Sequence, residues 1–264
     1  MKFFLCILLY SSGGVFMSCF SLRKIFFAVF GAFALCCSAF AGEAKTLDLS
    51  SIKGGEVIEE KMLDTYGENS FFTLSEIPDD VWKRMQGNTY QDNPFIKRED
   101  LRYLRLLHVD HENKVRLGEM VCNRAIAEDL REIFFILYKN KYAIEHILLA
   151  DDFDADDEIQ MGANNTSCFV FRFITGSDFL SYHARGLAVD LNPRTNPYCK
   201  LKKDGSLFVQ PKNSGEYCER DEDFLFKIDK EDLAYKLFIS HGFTWGGEWK
   251  TLKDFCHFEK EIMK

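Results

Sequence analysis

Positive charge is in short supply in this chain. Lys and Arg total 33 against 41 Asp and Glu over 264 residues, a formal net charge of −8. The phosphate backbone of a nucleic acid does not hold an acidic surface of this kind, so nucleic acid is excluded as a partner. Histidine is scarce as well, at six residues, and the sequence contains no internal repeat and no linker-like stretch. The chain beyond its leader therefore reads as one domain in which strands and helices are interspersed, an α+β unit with a mainly antiparallel sheet. Its 26 phenylalanines can fill a sizeable core.

What is present begins with two apolar runs, Phe3–Phe20 and Ile25–Ala41, separated by Arg23 and Lys24. The second has a basic flank, an apolar stretch and a small-residue ending at Ala39-Phe40-Ala41, the anatomy of a secretory signal. Residues 1–41 are therefore expected to be a signal peptide cleaved after Ala41, with Met17 as an alternative start. Left uncleaved, the segment becomes a membrane anchor, since its first run is nearly long enough to span a bilayer. Cleavage takes away Lys2, Arg23 and Lys24 and no acid, moving the formal charge from −8 to −11. The mature protein is expected in the periplasm or cell envelope. Five cysteines follow the leader: Cys122, Cys168, Cys199, Cys218 and Cys256. An odd number leaves at least one unpaired in an exported protein. Cys199 and Cys218 flank a polar insert and form the candidate disulfide, beside the alternative that all five are reduced.

Residues 42–79 lack strong periodicity and read as an extended arm, ahead of a main domain over 80–264. The stretch Ser75–Met85 predicts a short helix with acids in its first turn and bases in its last. Leu101–Val109 and Lys114–Asn123 alternate apolar residues around a polar Asp110–Asn113, a hairpin signal. Arg124–Tyr138 carries Ile126, Leu130, Ile133, Phe134 and Leu137 at helical spacing, so one face packs on that sheet. Ile144–Ala150 is a buried-strand candidate, and the acidic Asp151–Glu158 reads as a solvated loop. Asp204-Gly205 marks a turn within the insert at 200–223. Asp229 is the expected cap of a helix over Lys230–Ser240 that Gly242 ends.

The chemistry concentrates in "SYHARGLAVDLNPRTNPY", residues 181–198. Imidazole and carboxylate are the usual ligands of a catalytic zinc, which takes three protein groups and keeps a fourth position for water. His183 and Asp190 supply two, and Gly186 between them allows a tight bend. The other histidine in an equally suggestive setting is His257, in "GFTWGGEWKTLKDFCHFEK". Asp254 precedes it by three residues, which a straight strand would put on the opposite face. A chain turn at 254–256, with the last strand starting at about Cys256, brings both into one site and gives Asp254 the position of a general base. His108, His111, His146 and His241 have no such company and read as structural or surface residues. Cys256 is not expected to act as a nucleophile, because neighbours in a strand face opposite ways. Asn164, Asn165 and Thr166 read as turn formers, and Trp245 and Trp249 as core residues.

Together, Ser181-x-His183-x-x-Gly186-x-Ala188-x-Asp190 and Asp254-x-x-His257-Phe258-Glu259 resemble the motifs of the zinc D,D-carboxypeptidase and L-alanyl-D-glutamate endopeptidase family, the VanY-like peptidases of the bacterial cell wall. The flanks "DLRYLRLLHVDHENKVRLGEMVCN", "DDFDADDEIQMGANNTSCFVFR" and "GFTWGGEWK" are similar to one subgroup over about residues 80–259. The resemblance implies a hedgehog/DD-peptidase-like fold and one zinc ion on His183, Asp190 and His257, with Asp254 as the base. It implies that Arg172 contacts the scissile carbonyl oxygen or a substrate carboxylate, and that Ser181 and Glu259 orient the ligating rings. The implied substrate is the peptidoglycan stem peptide, with no stable protein partner. Arg172 lies closer to His183 than in other members, Cys256 replaces a residue that is often proline, and Glu248 stands where an aspartate is common. A hedgehog-like, catalytically inactive module stabilised by zinc is the rival reading.

Overall fold

The computed structural model describes residues 47–174 and 176–262, so the expected leader over 1–41, with its alternative start at Met17, lies outside the described residues. The first α-helix and the first strand among the described residues, α1 (Glu60–Tyr66) and β1 (Thr73–Ser75), fall in the segment that periodicity alone reads as an extended arm. That segment is instead fastened along both edges of the central hairpin. Gly55 N–H donates to Leu117 O and Ile58 N–H to Val115 O, each at 2.8 Å. The buried Arg105 guanidinium holds the carbonyls of Leu49 and Ile52 at 3.3 and 2.8 Å. Ile58, Phe71 and Phe72 are buried, too irregularly spaced to register as a period yet enough to anchor the segment.

Helix α2 (Asp79–Met85) has Asp79 and Asp80 in its first turn and Lys83 and Arg84 in its last, complementing the helix dipole. It begins four residues later than the sequence predicts, because Ser75 closes β1 and Pro78 takes the N-cap position. Strands β2 (Leu101–Val109) and β3 (Val115–Asn123) form the expected hairpin, in register from Leu101↔Asn123 to Val109↔Val115. Asp110 builds its turn by accepting from the N–H groups of Glu112 and Lys114 and from Arg116 Nε at 2.6 Å. Helix α3 (Ala127–Lys139) buries Leu130, Ile133, Phe134 and Leu137, the face its spacing predicts.

The predicted strand at 144–150 contracts to β4 (His146–Ile147), paired in parallel with β5 (Asn165–Thr166). The acidic run behind it is not a solvated loop. Its residues form a 3₁₀ turn, Ala150–Phe153, and helix α4 (Asp157–Gly162). The acids are occupied there: Asp151 accepts from the Thr89 N–H and hydroxyl, and Asp156 caps α4 by accepting from the N–H groups of Glu158 and Ile159.

The C-terminal part supplies β6 (Ala188–Asp190), β7 (Tyr198–Leu201), β8 (Leu207–Gln210), helix α5 (Leu233–Ser240), β9 (Thr244–Trp245), β10 (Lys253–Asp254) and β11 (His257–Glu259). Three antiparallel sheets result among the described residues, β1-β2-β3, β10-β7-β8 and β6-β11-β9, so the fold is α+β. The insert folds as the β7–β8 hairpin and is closed by a Cys199–Cys218 disulfide across a separation of 19 residues, a loop whose closure contributes about 3 kcal/mol. Cys122, Cys168 and Cys256 are free and buried. Asp232, not Asp229, caps α5. Asp229 accepts from the N–H groups of Glu231 and Asp232 one turn earlier, so two aspartate-centred turns follow each other and the helix starts after the second. Gly242, at φ +81°, ends it as expected.

The core lies directly behind the last strand. Phe258 stacks on Phe238 of α5 at 4.3 Å, and Phe238 meets Phe134 of α3 edge-on at 6.4 Å. Among the described residues no helix is long and apolar enough to cross a membrane.

Gly186 ties the central hairpin to the segment that carries His183. Its φ is +66°, and a Cβ there would lie 2.6 Å from Asn123 N and 3.0 Å from Cys122 C. Asn123 N–H donates to Gly186 O at 2.8 Å, and Asn123 Nδ2 to Arg185 O at 2.9 Å. Gly186→Ala is expected to cost at least about 1–3 kcal/mol through backbone strain alone. Urea denaturation should show the midpoint fall with an unchanged slope, and an unaltered midpoint would refute the close-approach argument.

Candidate metal centre

His183 opens a 3₁₀ turn, His183–Arg185, and is held by the extended run before it. Its backbone N–H donates to Ser181 Oγ at 3.2 Å. Its Nδ1 lies 2.7 Å from Cys168 O, and a carbonyl only accepts, so Nδ1 carries the proton and Nε2 is left as the ligating atom. Asp190 and His257 are register partners on the antiparallel strands β6 and β11, which puts both side chains on one face. Glu259, two residues further on the same face, meets His257 Nε2 at 3.0 Å and turns Nδ1 toward Asp190.

These constraints bring three donor atoms together. His183 Nε2 is 3.3 Å from Asp190 Oδ1 and 3.2 Å from His257 Nδ1, and His257 Nδ1 is 3.0 Å from Asp190 Oδ1. Zinc bonds of about 2.0–2.1 Å in a tetrahedron place ligand atoms about 3.3 Å apart. Two imidazole nitrogens and a carboxylate oxygen at this spacing therefore fit a small divalent cation, with one position left over. Among the described residues this is the one cluster of three or more His, Cys, Asp or Glu whose donor atoms converge. Without a cation, burial pulls the His257 imidazole toward neutrality, but the hydrogen bonds it donates to Asp190 and Glu259 and the charges of Asp190 and Asp254 outweigh it and raise its pKa to about 10. Burial opposes ionisation of Asp190, whereas His183 and His257 hold its carboxyl well below the usual range.

The chain turns between β10 and β11, so Asp254 shares the neighbourhood of His257. Gly246 packs against that turn: a Cβ at 246 would lie 2.6 Å from Asp254 O, 2.9 Å from Asp254 Cβ and 3.3 Å from His257 Cβ. Burial and the charge of Asp190 push the Asp254 carboxyl up to about 6, against the opposing charges of His257 and His183. Strand β11 starts at His257, one residue later than predicted. Cys256 therefore precedes the alternation, and its Sγ donates to Asp254 Oδ1 at 3.2 Å. Burial and the charges of Asp190 and Asp254 drive its thiol pKa upward, so no thiolate is available to attack a substrate.

Several residues stand where sequence alone did not put them. Trp245 is buried as expected and donates Nε1–H to Phe255 O, but Trp249 is only half-buried and its ring lies 5.3 Å from that of His257, beside the donor cluster. Asn164 and Thr166 are buried braces: Asn164 Oδ1 accepts from the N–H groups of Arg194 and Thr195, and Thr166 Oγ1 accepts from Asn192 N–H. Arg172 makes its charge contact with Asp157, Nε to Oδ2 at 2.7 Å. Asp157, Trp249 and Cys256 carry no local signal of these roles, which arise from tertiary contact. His108 is a buried core residue on Ile144 O, and His111 and His241 sit against Glu145 and Glu132.

Comparison with known proteins gives the same direction. Residues 175–260 match the family model described as D-alanyl-D-alanine carboxypeptidase. A curated relative, the peptidoglycan L-alanyl-D-glutamate endopeptidase CwlK of Bacillus subtilis (strain 168), is 28% identical over 107 residues, 40% of this chain and 54% of its own length. The chain thus spans about half of that relative. No solved structure matches the chain. In the segment that carries the His183, Asp190 and His257 motifs, the chain is thus similar to the peptidase family that the motif resemblance implied.

Proposed function

We propose that the protein is an exported, zinc-dependent peptidase that hydrolyses amide bonds of peptidoglycan stem peptides, with a hedgehog/DD-peptidase-like fold and one zinc on His183, Asp190 and His257. The observation that carries this is the triangle of His183 Nε2, Asp190 Oδ1 and His257 Nδ1, with edges of 3.0–3.3 Å. The family match over 175–260 supports a peptidase, and the leader expected over 1–41 supports export.

Zinc supplies Lewis acidity when bound, acidifying water and polarising the amide carbonyl. The residues of the chain do the rest. Asp254, with its carboxyl raised toward neutrality, takes the proton of the attacking water at a carboxylate oxygen and returns it to the leaving amine. Glu259 and the Cys168 carbonyl keep the two rings facing inward, and Ser181 fixes the turn that presents His183. The permanently charged guanidinium of Arg172 binds negative charge on the substrate. The substrate is a stem peptide cut at D-Ala-D-Ala or at L-Ala-D-Glu, and mass spectrometry of digested muropeptides decides between the two bonds. The rival, an inactive zinc-stabilised binding module, leaves Asp254 without a task, since a structural zinc needs no base.

Asp254→Asn should lower turnover by about 10²–10⁴-fold while zinc stays bound, and His183→Ala should lose both, as followed by hydrolysis assay and metal analysis. Wild-type hydrolysis by the Asn variant would remove Asp254 from the mechanism.

Zinc uptake also has a proton balance. His257 is protonated at neutral pH in the metal-free protein because its pKa is raised to about 10, and ligation needs its Nδ1 free of the proton. Binding at pH 7–8 should release about one proton per ion, so affinity rises about tenfold per pH unit across this range. Isothermal titration in buffers of different ionisation heat measures this, and zero net release contradicts the ligand assignment of His257.

A further inference from the structure

Arg172 is gripped by an acid that the reaction scheme above leaves unused. It stands in an extended run whose backbone meets the metal-binding segment three times: Cys168 O at His183 Nδ1 (2.7 Å), Val170 N at His183 O (3.4 Å) and Arg172 O at Ser181 N (3.2 Å). Its Nε lies 2.7 Å from Asp157 Oδ2, a contact of charge in which the N–H does not point along a hydrogen bond. Asp157 is the first residue of α4, and its Oδ1 accepts from Gln160 Nε2 at 3.0 Å.

Two further observations give this arrangement direction. Gln160 is only 3% exposed, and its Oε1 has no partner among the described residues. A buried acceptor left open is costly, and an apolar side chain of the same length would avoid that cost. The amide is accounted for by what its Nε2 does to Asp157. The Arg172 side chain, in contrast, is 36% exposed, and among the described residues its η nitrogens form no hydrogen bond or ion pair. An acid on Nε restrains the guanidinium plane and leaves the η nitrogens for a pair of ligand oxygens.

We propose that Asp157, set in turn by Gln160, is a positioning residue that holds the Arg172 guanidinium as a receptor for a carboxylate on the substrate residue beside the scissile amide. This role rests on the peptidase reading. Both bonds under consideration offer the group: a terminal D-Ala carries its own carboxylate, and a D-Glu joined onward through one carboxyl keeps the other. A pair that only stabilised the fold would instead act on every substrate alike.

The test is steady-state kinetics of the full chain with zinc, on a muropeptide and on its carboxamide. The variants are Asp157→Asn, Asp157→Glu, Arg172→Ala and the double variant Asp157→Asn/Arg172→Ala, with thermal midpoint and zinc content recorded for each. Asp157→Asn should raise KM for the acid by about tenfold with little change in kcat, midpoint or zinc, and Asp157→Glu should recover part of the loss. The same substitution should add nothing in the Arg172→Ala background, and the carboxamide should show no difference between wild type and Asp157→Asn. An unchanged KM, or a loss that persists without Arg172, overturns the positioning role alone. A wild type that cuts no muropeptide overturns the peptidase reading, and this role with it.

Discussion

The pairing of β6 with β11 is the constraint on which the rest of the molecule depends. Asp190 and His257 are far apart in sequence, yet antiparallel register sets them opposite each other, and the pleat points both side chains the same way. A slip of one residue would send either donor to the opposite face, where Val189 and Phe258 now fill the core. The hydrophobic stack behind Phe258 therefore does more than stabilise the fold. By fixing which residues of β11 face inward, it fixes which face the donor cluster.

Two further contacts convert that pairing into a three-point cluster. The left-handed backbone at Gly186 lets the 183–186 turn lie against the end of the central hairpin, so His183 is supported from a different sheet than its two partners. The carbonyl of Cys168 and the carboxylate of Glu259 then select one nitrogen of each imidazole. Three donors from separate stretches thus converge with little freedom left to lose when an ion binds.

Much of this was legible in the sequence, and the division has physical reasons. The hairpin over 101–123, the apolar face of α3 and the spacing around His183, Asp190 and His257 are short-range patterns, and short-range patterns survive in a single sequence. The segment 42–79 reads as an arm because the anchors of its described part, Ile58, Phe71, Phe72 and the carbonyls that Arg105 holds, are fixed by distant partners and not by a local period. The acids of 151–158 read as solvated for the same reason, since their partners Thr89 and Arg172 lie outside the run itself. The start of α5 slipped from Asp229 to Asp232 because both are good caps and only their succession decides. The sequence puts Asp254 near His257 only if the chain turns between them, and the break between β10 and β11 supplies that turn.

The covalent link of the insert bears on this centre indirectly. Strand β7 pairs with β10 so that Tyr198 faces Asp254 and Cys199 faces Lys253. The Cys199–Cys218 bond therefore begins next to the residue whose partner is the carboxylate beside the cluster. Reducing surroundings that open the bond would therefore remove a covalent restraint from the strand whose backbone pairs with the Asp254 segment.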